Sequence, residues 1–104
     1  MASAAAVLPH PLPAWAELID RGLRMAEAED LGGTGALGED VEMLSRFADR
    51  QQAEAARRLR EFELRHGPAD DGASSTVAWL ISRCRMAPGR AADMVCVSRQ
   101  LPEL

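Results

Sequence analysis

Apolar positions recur at helical spacing in four stretches of the chain, and the elements they predict make the protein all-α. In the first, Trp15, Leu18, Ile19, Gly22, Leu23 and Ala26 fall on one side of a helix, with Glu17, Asp20, Arg21 and Arg24 on the other. In the second, Val41, Leu44, Phe47 and Ala48 form a core face. Gln51, Ala55 and Arg58 thin that face before Leu59 and Phe62 restore it. The third stripe is Val77, Leu80, Ile81 and Cys84, and the fourth is Ala91, Val95, Ser98 and Leu101, whose small members let two helices approach closely. The expected architecture is three to four helices at residues 14–28, 39–66, 75–84 and 88–101, with one long central helix and a C-terminal pair resembling a helix-turn-helix.

Local chemistry sets the boundaries. Ser74 and Ser75 offer N-cap hydroxyls after the turn residues Asp71-Gly72, and Pro88 suits the first position of the last helix because its missing N–H would have no partner there. The long helix carries Glu39, Asp40 and Glu42 in its first turn and Arg60, Arg65 and His66 near its last, complementing the macrodipole. Glu42/Arg46, Glu54/Arg58 and Glu61/Arg65 are i,i+4 pairs in the favourable order, and Gly67-Pro68 is the stop. His66 is then a helix-end residue and not a metal ligand. Residues 1–12, with Pro9 and Pro11, read as a disordered tail in which His10 is solvated, and residues 13–104 as one helical domain.

At 1.5 Å per residue the long helix would extend about 42 Å, against a radius of gyration near 13 Å for a compact domain of about 100 residues. It should therefore overhang, leaving Leu59, Phe62 and Leu64 in need of cover. A homodimer through the long helix, antiparallel so that Arg-rich turns meet Glu-rich ones, would supply it; the C-terminal pair folding back would do the same. Trp15 could anchor a partner, but a core or half-core role is expected, since an amphipathic helix must bury that face.

Gly33-Thr34-Gly35-Ala36-Leu37-Gly38 matches the G-x-G-x-x-G of dinucleotide sites, but no strand or parallel sheet surrounds it and the acidic run AEAED precedes it. It reads as a Gly-rich linker. A P-loop is excluded because the chain has no Lys. Cys84 and Cys96, with no further ligands near, read as buried reduced thiols rather than a zinc site. Neither a basic leader nor an apolar run of about 20 residues is present, so the expected setting is the cytoplasm, with no membrane. The acids Glu17, Asp20, Glu39, Asp40, Glu54, Glu61 and Glu63 are placed on exposed faces. No serine has an activating His, which points away from an enzyme, a cofactor or a small-molecule substrate.

The order Gly72, Ser75, Trp79-Leu80, Pro88, Ala91 and Leu101-Pro102 with Leu104 resembles the thirteen-E-twelve repeat family of high-GC bacteria. That family is a domain of unknown function often found upstream of an HNH endonuclease domain. The resemblance covers about residues 66–104, with Ala87 where the family usually has a capping Ser and Ser98 where it usually has Ala. All twelve basic residues are Arg, as in a GC-rich genome. In the family, the Leu-Pro-x-Leu element is followed by more helices and often by the nuclease. The resemblance therefore implies the N-terminal portion of such a protein, truncated, non-catalytic and without the HNH chemistry.

Charge adds an alternative. The net charge is −4, but residues 74–104 hold Arg83, Arg85, Arg90 and Arg99 against only Asp93 and Glu103. If the C-terminal pair binds DNA, Arg90 and Asp93 would meet base edges, and Arg85 and Arg99 phosphates.

Overall fold

A computed structural model describes residues 11–102. Of the tail expected at residues 1–12, only Pro11 and Leu12 fall among them. Among the described residues all regular secondary structure is helical, with no strand: α1 Ala14–Ala28, α2 Thr34–Leu64, α3 Gly67–Asp70, α4 Thr76–Arg83 and α5 Pro88–Arg99. The chain divides into two compact units, Met1–Gly38 and Glu39–Leu104.

In the first unit, α1 spans the predicted residues, and Arg24 Nε donates to Asp20 Oδ2 over 3.0 Å one turn back. The core or half-core role expected of Trp15 is not realised. No residue of α1 is buried, and Trp15 is 52% exposed. The segment read as a Gly-rich linker is also different, because α2 starts at Thr34 rather than Glu39. Leu37 N–H already bonds to the Gly33 carbonyl at 2.9 Å. Helix propagation is cooperative: each added residue gains a hydrogen bond for one more pair of fixed dihedrals, while each Gly costs only about 1 kcal/mol. The strong helix that follows therefore draws the glycines in.

The second unit contains the core, formed by Leu59 of α2, Leu80 of α4, and Ala91 and Val95 of α5. Phe62, Val77, Trp79, Met86 and Met94 pack around it. Of the two covers open for Leu59 and Phe62, a second subunit or the C-terminal pair folding back, it is the C-terminal helices of the same chain that pack on them. Val41, Met43, Leu44 and Phe47, earlier on α2, stay exposed, and so does Leu64 at its end.

The end of α2 is built differently from the Gly-Pro stop the sequence suggests. The left-handed residue is His66, at φ 61°, while Gly67-Pro68 are buried and open the one-turn α3. Gly67 is required by close approach: a Cβ there would lie 2.0 Å from Phe62 Cε1, since the ring rests on the Gly67 backbone. Gly72 does take positive φ, 83°, in the predicted turn before α4.

Ser75 caps α4, its Oγ accepting from Ala78 N–H at 3.0 Å. The predicted stripe on α4 is rotated. Thr76 and Leu80 are buried, with Val77 and Trp79 half-buried, whereas Ile81 and Cys84 are exposed. The reason is polar pairing: the Thr76 hydroxyl donates to the Glu63 carboxylate, and the Trp79 indole N–H donates to Asp71 Oδ2 at 2.9 Å. A buried hydroxyl with a partner costs little, so this face can turn inward. On α5 the predicted stripe holds. Ala91 and Ser98 are fully buried, Val95 is buried and Leu101 half-buried. Ser98 Oγ donates to the Val95 carbonyl at 2.9 Å, which satisfies the hydroxyl that stands where the resembling family has Ala.

Candidate interaction groove

Between the second half of α2 and the α4–α5 pair lies an open groove of about 790 Å³. Its α2 wall runs from Ala48 through Gln51, Gln52, Ala55 and Leu59 to Phe62, a progression of three- and four-residue steps along one helix face. The opposite wall is Trp79, Leu80, Cys84 and Met86, closed by Met94 of α5. Among the described residues, Arg58 and Arg90 are the only charged ones lining it.

Three interactions hold the walls together. Phe62 and Trp79 rings meet with centroids 4.8 Å apart at 57°. Asp71 anchors α4 by accepting from the Trp79 indole, and Arg83 reaches the same oxygen at 3.3 Å. Glu63 ties α2 to both other helices: it accepts from Thr76, and Arg99 Nε and a terminal guanidinium nitrogen donate to its two oxygens, each over 2.9 Å. The Arg99 bonds hold the Glu63 carboxyl down at about pKa 2, against partial burial that pushes it up, with Thr76 adding to the lowering. Arg99 is raised in return by Glu63.

The sequence pattern puts Glu63 among the exposed acids. Its side chain is only 18% exposed, because its partners come from residues thirteen and thirty-six positions away, which helix periodicity does not report. Glu54 does behave as a surface acid, bonded to Arg57 and then Arg58, which lower it to about 2. Of the i,i+4 pairs foreseen, Glu54/Arg58 and Glu61/Arg65 form, at 2.7 and 2.8 Å.

The residues nominated for DNA are not gathered on one surface of free cations. Arg99 is committed to Glu63. Arg85 occupies the turn between α4 and α5 at φ 52°. Arg90 lines the groove, and it also borders, with Asp93, a smaller depression beside Asp49 and Val97. The motif residues Ser75, Trp79, Leu80, Pro88 and Ala91 have structural work as cap, groove wall, core, helix start and core. Pro102 is exposed beyond α5. Cys84 and Cys96 are exposed rather than buried: Cys84 follows the last turn of α4 on the rotated face, and Cys96 lies off the Ala91–Val95–Ser98 stripe. The groove itself was missed. Met86 and Met94, flanking the α5 start, were the available signal, since methionines fill adaptable apolar surfaces.

Among the described residues no cluster of His, Cys, Asp and Glu could hold a metal, and no helix is long and apolar enough to cross a membrane. Compared with models of protein families, with curated proteins and with solved structures, the chain matches none. The resemblance drawn from the motif residues therefore rests on those residues.

Proposed function

We propose that this chain is a non-catalytic helical module that docks another polypeptide, and that it works beside an HNH endonuclease, as the resemblance to the thirteen-E-twelve repeat implies. The observation that carries the reading is the open groove walled by Phe62, Trp79, Met86 and Met94. Apolar grooves between helices, with a few polar groups at the rim, are typical seats for partners. In this reading the chain presents or regulates a nuclease domain and contributes none of the chemistry. Two measurements test it. Purified chain with supercoiled plasmid and Mg²⁺, Mn²⁺, Ni²⁺ or Zn²⁺ should give no nicking, and an HNH domain encoded in the same genome should co-sediment with the chain. Metal-dependent nicking lost on substituting a residue of this chain would overturn the proposal.

A second reading, the DNA-binding helix pair, is favoured by one observation. Arg85 and Arg90 are exposed and have no hydrogen-bond or ion-pair partner among the described residues. Arg90→Ala should then weaken DNA binding and reduce the salt slope by about one unit. No binding at low salt would end this reading. A homodimer is the third, and it would now use Val41, Leu44 and Phe47 in place of Leu59 and Phe62.

A further inference from the structure

We infer that the groove takes an amphipathic α-helix from another protein, one that carries carboxylates beside its apolar face. This deepens the reading of the chain as an interaction module and rests on it. The first argument is length. The α2 wall runs from Ala48 to Phe62, which at 1.5 Å per residue is about 21 Å, or roughly four turns of a bound helix. A small amphiphile would fill only part of such a trough, and Ala48 and Ala55 keep the wall low enough for two helices to approach closely.

The second argument is charge. The chain as a whole is net −4, yet among the described residues no Asp or Glu lines the groove and the two charged residues that do are both Arg. Arg58 shares the Glu54 carboxylate at 2.7 Å, whereas Arg90 has no hydrogen-bond or ion-pair partner among the described residues. A carboxylate on the flank of the guest helix, at the end nearest α5, would give Arg90 a charge-assisted bond. A lysine there would be repelled. Met86 and Met94, being unbranched, can re-pack around the guest's apolar residues.

Cys84 lines the groove and Cys96 does not, and both are exposed, so the chain contains its own reporter and control. Two synthetic helical peptides of about 16 residues, sharing one Leu/Met face and bearing either Glu or Lys on the flanks, are added to the full chain. Thiol alkylation is then followed by mass spectrometry. The Glu peptide should slow Cys84 about tenfold near saturation and leave Cys96 within about twofold. The Lys peptide should protect about tenfold less well, and Arg90→Glu should reverse the preference. Equal protection by the two peptides would overturn the charge assignment. Protection by decanoate at matching concentration would assign the groove to small amphiphiles. Protection of Cys84 that rises with the chain's own concentration would make the guest a second copy. Peptide binding seen by sedimentation with Cys84 still reactive would overturn the groove while sparing the module. No association with either peptide, and none with the HNH domain, would overturn both.

Discussion

Glu63→Gln isolates the charge at the junction of α2, α4 and α5. The amide keeps the shape and one acceptor for Thr76 but loses the charge that faces Arg99. The drop of the Glu63 carboxyl from 4.5 to about 2 sets a ceiling near 3.4 kcal/mol, at about 1.36 kcal/mol per unit. Arg99 is 58% exposed, so solvent screening reduces this. An expected loss at pH 7 is about 1.5 kcal/mol, a fall in the urea midpoint of about 1 M for a domain of this size. Because the folded pKa lies below the unfolded one, the ionised carboxylate stabilises fully above about pH 4.5, and its contribution disappears as pH falls toward about 2. The difference between the two proteins should therefore shrink steadily from pH 5 to about pH 3, other acids being common to both. Urea unfolding followed by circular dichroism at each pH measures it. A loss that stays constant down to about pH 3 would show that Glu63 acts by packing and not by charge, refuting the reasoning.

The two glycines beside α3 should respond differently. Gly67→Ala must displace the Phe62 ring and should cost about 3 kcal/mol with loss of the Trp79 fluorescence signature, whereas Gly72→Ala meets nothing within 4 Å and should cost only about 1–2 kcal/mol of left-handed strain. Leu59→Ala should destabilise by about 2–5 kcal/mol without changing the sedimenting mass, since Leu59 sits in the core of its own chain; a mass change without destabilisation would return it to an intermolecular role.

Much of this fold was legible in local chemistry. The Ser75 cap, Pro88 at the start of α5 and the Ala91–Val95–Ser98 stripe each depend on neighbours within one or two helical turns, and each is where the pattern puts it. What was not legible depends on distant partners. The inward turn of Thr76 is set by Glu63, thirteen residues away, and Gly67 is fixed by the Phe62 ring that occupies the place of a Cβ. The exposure of the Cys84 thiol follows from the same rotation of α4. The groove needed both walls, and only the structure brings Ala48 and Ala55 opposite Met86 and Met94.

The Glu63–Arg99 bond also has a temporal side. A ribosome delivers Glu63 thirty-six residues before Arg99, and with it Leu59 and Phe62, whose cover is Leu80, Ala91 and Val95. At about 5–20 residues per second that interval is roughly 2–7 s. Throughout it α2 is a nascent helix with a wet apolar stripe and no partner yet made. The chain's exposure to aggregation is thus concentrated in the moments before α5 emerges.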